Sequence, residues 1–273
     1  MSPRLRRLSG ALAVLLALSA AWTWWRQQHP AHHYVTSPTA DFAATFAPPS
    51  AADSAATRAE LDQLLAIQAA RTPAQVAAAR GDRKTRIDRF YPALGIDPEH
   101  APALPRLHGI AERVEDDVRL YVRAAKDRFR RLRPYEIEPR LKPCIDNVAG
   151  DLSYPSGHAA FAWSMAYLLS DLVPERRDVL LARAAEFARQ RVVCGVHFPS
   201  DLEAGKRAAG WLLEQMHRNP DFIADRDQAA QELRAVLGLP PGIPRSLPQA
   251  AGHSSVSRAP PRLALEPATT RPR

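Results

Sequence analysis

One stretch constrains the fold more than any other. Between Leu107 and Leu132, the apolar residues Ile110, Val114, Val118, Tyr121, Ala125, Phe129 and Leu132 recur at steps of four, four, three, four, four and three. This is a single apolar stripe at helical period, so the segment is expected to form a long helix with one face in a core. Arg133-Pro134 is expected to end it, because the residue before a proline avoids the helical region.

The rest of the chain reads the same way. An Ala/Leu/Gln-rich stretch from Ala59 to Ala79 suggests helix, with a break at Thr72-Pro73. A proline-containing connection over 92–105 follows. Further helices are expected from Gly157 or His158 to Leu172, from Glu175 to about Arg191, and from Ser200 to His217. Strand signals are sparse throughout, and no internal repeat is present. The expected fold class is therefore all-α, a helical bundle with its core between roughly 59 and 236. At 273 residues the chain is long enough to bury such a core.

The ends read differently. Arg4, Arg6 and Arg7 precede an apolar run from Leu8 to Ala21, and Ser19-Ala20-Ala21 offers small residues for cleavage. This pattern suits a secretory signal peptide. The rival reading is an uncleaved N-terminal anchor, with Trp22, Trp24 and Trp25 at a membrane interface. Either way residues 1–25 imply export, to the periplasm or beyond, with membrane contact only if the segment stays uncleaved. Residues 26–57 are rich in Pro, Ala, Ser, Thr and His and read as a loose N-terminal extension. The bundle is expected over 58–237, and the Pro/Arg-rich segment 238–273 reads as a disordered tail. The net charge of +8 favours anionic partners, but much of the excess lies at the ends, and no nucleic-acid-binding motif accompanies it.

Three short segments hold the polar residues that could carry chemistry. In the first, Lys126 and Arg133 stand seven apart ahead of Pro134. On one helix they would project from the same side, roughly 10 Å apart along the axis. Taken alone, the segment reads better as a solvated basic face, since Arg128, Arg130 and Arg131 are basic too. In the second, Tyr154-Pro155-Ser156-Gly157-His158 opens an apolar helix. Free N–H groups at a helix start favour an anion, although Ser156 could equally be a simple cap. In the third, Arg191 is followed by His197 and then Asp201. A carboxylate near a histidine can hold one ring nitrogen as N–H and leave the other free to attack. Asp201 also sits where a helix cap would, so a structural role is open.

In combination, K-x6-R-P, P-S-G-H and R-x5-H-x3-D resemble the type 2 phosphatidic acid phosphatase superfamily, which includes the vanadium haloperoxidases. Ser153 to His158, Arg191 to Gly195 and Ala101-Pro102-Ala103-Leu104 make the chain more similar still to the bacterial class A non-specific acid phosphatases. The likeness runs over roughly residues 41–217. It implies an all-α bundle that needs no metal or cofactor and hydrolyses small phosphate monoesters through a phosphohistidine. By the resemblance, His197 is the nucleophile, Asp201 orients it and His158 protonates the leaving group. Lys126, Arg133 and Arg191 bind the phosphoryl oxygens together with Ser156 and the Gly157 N–H. The two histidines have opposed protonation needs, which implies a bell-shaped, acidic rate profile.

Some positions depart from the family pattern. Gln190 replaces the usual serine before the second arginine, Ala159 stands where a hydroxyl residue is common, and Val196 precedes the nucleophile where an aromatic is frequent. The two cysteines, Cys144 and Cys194, fit the exported class A picture and are expected to pair. Two other readings remain: a vanadate-dependent haloperoxidase, and a non-catalytic protein that binds phosphate or another polyanion. Hydropathy argues against a multi-span lipid phosphatase, because there is one long apolar segment. The sequence leaves the natural substrate and any homo-oligomer open.

Overall fold

A computed structural model describes residues 33–99, 101–145 and 151–242. Within them every regular element is helical. In chain order the α-helices are α1 (Thr39–Ala44), α2 (Ala55–Ala70), α3 (Pro73–Gly81), α4 (Tyr91–Leu94), α5 (Pro105–Phe129), α6 (Pro134–Ile137), α7 (Gly157–Leu172), α8 (Arg177–Val193), α9 (Pro199–Met216) and α10 (Pro220–Val236). None of the described helices is long and apolar enough to cross a membrane. The leader expected over 1–25 and most of the tail expected over 238–273 lie outside the described residues.

The apolar stripe of α5 is buried as the period requires, from Leu107 through Ile110, Val114, Val118 and Tyr121 to Ala125. Its end differs from expectation. The helix stops at Phe129, where Arg130 adopts a left-handed conformation (φ 50°) and its N–H donates to the Lys126 carbonyl at 2.8 Å. That reversal, not the later proline, terminates the helix. Leu132 consequently leaves the stripe and is exposed. The break at Thr72-Pro73 is where the sequence places it: Thr72 and Gln75 form a reciprocal capping box between α2 and α3.

Helix α7 lies at the centre, packed against α5, α8, α9 and α10. It is apolar nearly all round, as a helix enclosed by others must be. Small residues set how closely its neighbours approach. Ala159, Ala160 and Ala162 of α7 and Ala204, Ala208 and Ala209 of α9 are all buried. At Gly205 the approach is closest: a Cβ there would stand 2.6 Å from the Ser156 carbonyl oxygen, 2.7 Å from Ala159 Cβ and 2.9 Å from Ala160 N. The start of α7 is thereby pressed onto the first turns of α9.

Two regions differ from the sequence reading. Residues 33–46, placed there in a loose extension, pack into the core. Tyr34, Val35, Phe42 and Phe46 are buried, and the Phe42 ring meets Tyr121 and Trp211. The carboxylate of Asp117 on α5 accepts hydrogen bonds from the Tyr34 and Val35 N–H groups at 2.9 and 3.2 Å, and faces His33 Nδ1 at 2.7 Å. Four scattered apolar residues with a buried carboxylate to receive the backbone thus outweigh the polar composition. Second, Pro220–Val236 forms a helix that no sequence signal separated from its surroundings. Its acidic and basic residues dilute the apolar pattern, yet Phe222, Ala229, Ala230 and Leu233 are buried.

Cys144 and Cys194 form a disulfide across a sequence separation of 50. It ties the segment after α6 to the turn after α8. Opening it is expected to remove ~4 kcal/mol of stability in the chain-entropy picture, read as a lower melting temperature for Cys144→Ala/Cys194→Ala. Gly205→Ala is expected to cost about 1–3 kcal/mol by overpacking. Because the clash falls on Ser156 and Ala160 at the start of α7, ligand affinity should fall together with the melting temperature.

Candidate active site

The three sequence segments converge on one buried place. His197 lies on the turn between α8 and α9 and is 1% exposed. Asp201 is the third residue of α9 and is fully buried. Its Oδ2 lies 3.1 Å from His197 Nδ1 and accepts the Phe198 N–H at 2.9 Å. The cap and the histidine orienter, alternatives in the sequence, are therefore one carboxylate serving both. The same oxygen accepts from Ser153 Oγ at 2.5 Å.

Arg133 closes the other side of the ring. Its Nη1–H donates to His197 Nε2 at 2.6 Å and to the Val196 carbonyl at 2.6 Å. A guanidinium can only donate, so Nε2 must offer its lone pair and the ring proton must sit on Nδ1, facing Asp201. The geometry thus selects one tautomer. Burial, then Arg133, Lys126 and Arg191, holds His197 well below the ordinary histidine range, which favours the neutral ring. Burial pushes Asp201 above the usual carboxylate range, with Arg131 the main opposing charge.

Lys126 and Arg133 do not share a helix, contrary to the sequence expectation. Lys126 is in the last turn of α5, while Arg133 precedes α6 in extended conformation. The reversal at Arg130 brings them together at a common partner. Lys126 Nζ donates to Asp151 Oδ1 at 2.8 Å, Arg133 Nη2 pairs with Asp151 Oδ2, and Arg133 Nε donates to the Asp151 carbonyl at 3.0 Å. Burial raises Asp151 and is outweighed by Arg133 and Lys126, which leave it below the usual range. Burial and Arg133 lower Lys126.

Arg191, in the last turn of α8, is 4% exposed, yet its Nε and Nη1 have no hydrogen-bond partner among the described residues. Burial and Arg133 lower its pKa to about 10, still charged at any working pH. Buried charged donors without acceptors are costly and ask for an anion. Gln190, beside it, turns away to Glu186 on its own helix through Nε2, and its Oε1 is buried without a partner among the described residues.

Ser156 caps α7, its Oγ accepting the Ala159 N–H at 3.3 Å, and its own N–H donates to the Asp201 carbonyl at 3.0 Å. The hydroxyl proton stays free to donate elsewhere. Gly157 opens the helix; a Cβ there would meet nothing closer than Val122 Cγ1 at 3.7 Å. His158 follows, its Nε2–H donating to the Arg83 carbonyl at 2.8 Å and its ring stacked on Phe187. Burial, then Arg191, lowers its pKa to about 3.

Several contributors escaped the sequence reading. Arg131, which the sequence places on a solvated basic face, is instead buried and pairs with Asp201 Oδ1 at 2.7 Å. Ser153, Asp151 and Glu60 also join the network. No spacing rule singles them out, because each acts from a loop or from a distant helix. Among the described residues, no three His, Cys, Asp or Glu side chains are grouped to hold a metal ion.

The chain is similar to known proteins over part of its length. Residues 118–216 match the model of the PAP2 superfamily. A non-specific acid phosphatase of Providencia stuartii is 34% identical over 148 residues, covering 52% of this chain and 59% of that protein. An acid phosphatase of Zymomonas mobilis subsp. mobilis is 33% identical over 144 residues, covering 51% and 53%. The chain thus spans little more than half the length of these curated relatives. Among solved structures, a transmembrane PAP2 type phosphatidylglycerolphosphate phosphatase from Bacillus subtilis is similar with a TM-score of 0.46 and 19% identity, covering 66% of this chain and 90% of that one.

Asp151 occupies two cations that would otherwise be open to an anion. Asp151→Asn is therefore expected to tighten the binding of inorganic phosphate several-fold, by about 0.5–1 kcal/mol for a partly exposed pair. Calorimetric titration reads this directly; weaker binding would mean that Asp151 positions the cations instead of competing for them.

Proposed function

We propose that the chain, which is similar to the PAP2 superfamily over residues 118–216 and to acid phosphatases over about half its length, is an exported acid phosphatase that hydrolyses small phosphate monoesters through a phosphohistidine on His197. The observation that carries this reading is Arg191. Two buried, charged donors without a partner border a neutral histidine whose tautomer is already set for attack.

The chemistry follows from the residues. The phosphoryl group binds between Arg191, Lys126 and Arg133, displacing the Asp151 carboxylate, with the Ser156 hydroxyl and the start of α7 as further donors. Arginine suits this because its planar fork matches phosphate oxygens. Drawing Arg133 onto the phosphate uncovers the lone pair on His197 Nε2. Nε2 attacks phosphorus as the P–O bond to the leaving group breaks, and Asp201 stabilises the imidazolium through Nδ1–H. His158 gives its proton to the departing alkoxide, then accepts one from the water that cleaves the N–P bond. Neutralisation of the developing charge rests on the three cations, so the reaction is expected to run without a metal. The folded unit proposed for it begins near residue 33, earlier than the boundary at 58 read from sequence.

The pH dependence has a definite sign. His197 must be neutral, and its depressed pKa keeps it so far into acid. His158 must be protonated, yet its own pKa in the protein is about 3. A phosphate dianion beside it favours the charged ring and raises that value in the complex. As pH rises, His158 in the complex loses its proton and kcat falls; as pH drops, His197 gains one and kcat falls again. The expected profile is a bell below neutrality.

The test is a panel of phosphate esters with p-nitrophenyl phosphate as reference, assayed with and without EDTA. Turnover insensitive to EDTA, an acidic optimum, and its abolition in His197→Ala are expected. A rate still rising at pH 9, or near-normal activity of His197→Ala, overturns the mechanism.

A further inference from the structure

We propose that Arg131 is a positioning residue for the His197–Asp201 pair, held in place by Glu60 from a helix outside the matched segment. The proposal rests on the phosphatase reading above, and goes beyond it by assigning a working role to α2.

Three observations carry it. First, Arg131 turns inward where Arg128 and Arg130 stay exposed: its side chain is 5% exposed. The left-handed residue just before it reverses the chain and makes this possible. Second, its guanidinium reaches groups on two elements. Nη1 donates to Asp201 Oδ1 and to Ser200 Oγ, both at 2.7 Å, and Nη2 donates to Glu60 Oε2 at 2.9 Å. The guanidinium carbon lies 3.8 Å from the centroid of the Phe198 ring, so the fork is fixed in plane as well as in direction. Third, Glu60 grips the same turn independently. Its Oε1 accepts the Ser200 N–H at 2.7 Å and its Oε2 accepts from Ser200 Oγ at 2.9 Å.

Asp201 therefore has its two oxygens divided. Oδ2 serves His197, Ser153 and the Phe198 N–H, while Oδ1 is committed to Arg131. With Oδ1 anchored, the carboxylate cannot rotate away from the ring, and its charge is compensated in a place where burial opposes it. The charged and titratable groups facing this cluster are Arg131, Glu60, His197, Arg133 and Lys126. Of these, Arg131 is the cation in direct contact with Asp201. Lysine, a point charge, cannot meet three acceptors in one plane.

The experiment uses the full chain with Arg131→Lys and the paired variant Glu60→Gln/Arg131→Met, which avoids leaving Glu60 as a half-buried charge without its cation. In both, kcat for p-nitrophenyl phosphate is expected to fall about tenfold to a hundredfold, as misplacement of an orienting group does, with KM changed less than about twofold. The acid limb of kcat should move up in pH, since Asp201 binds a proton more readily without Arg131. Nitrogen-15 histidine spectra should change from a fixed Nδ1–H form of His197 to a mixture of tautomers. Wild-type kcat and pH profile in both variants overturn the proposal. So does loss of a cooperative melt in both, which would make Arg131 a structural staple only. If the wild-type protein hydrolyses no ester, the phosphatase reading fails by itself, and the histidine spectra still decide the role of Arg131.

Discussion

The whole arrangement depends on one buried carboxylate. Asp201 cannot be solvated, so every lone pair it carries has to be met by the protein. The groups that meet it come from four places: the His197 turn, the start of its own helix, the Ser153 loop and the Arg131 reversal. Its backbone carbonyl receives the Ser156 N–H besides. Helix α7 is thereby pinned at the residue where it begins, and Gly205 lets it come near enough for that bond. The site's geometry is in this sense the set of solutions to the solvation of a single anion.

Four cations gathered around the His197–Asp201 pair would repel one another if nothing intervened. The fold handles them separately. Asp151 neutralises Lys126 and Arg133, and Glu60 and Asp201 neutralise Arg131. Arg191 keeps its charge buried with two donors uncommitted. This uneven distribution separates a binding site from a structural ion-pair network, in which donors and acceptors balance.

Much of this was legible in the sequence. The α5 stripe, the Thr72 cap, the starts of α7 and α9 and the eight motif residues were visible because each has a periodicity or a local spacing. What was not legible depended on tertiary partners. Arg131 looked like its exposed neighbours because nothing in K-D-R-F-R-R-L-R shows which arginine a left-handed residue will turn inward. Lys126 and Arg133 were placed on one helix, since a stop at Arg130 has no proline or glycine to announce it. Residues 33–46 looked loose because their aromatic residues are too sparse to form a pattern. The core was waiting for them on α5 and α9, at Tyr121 and Trp211.

The hydrogen bond from Arg133 to His197 Nε2 has a chemical consequence of its own. A neutral imidazole is a good nucleophile toward any reactive carbon or acyl group that diffuses in. Here its lone pair is sheathed by a guanidinium that only a ligand with negative oxygens has reason to pull aside. Uncharged electrophiles meet a masked ring, so a neutral imidazole can persist here without being spent on bystanders.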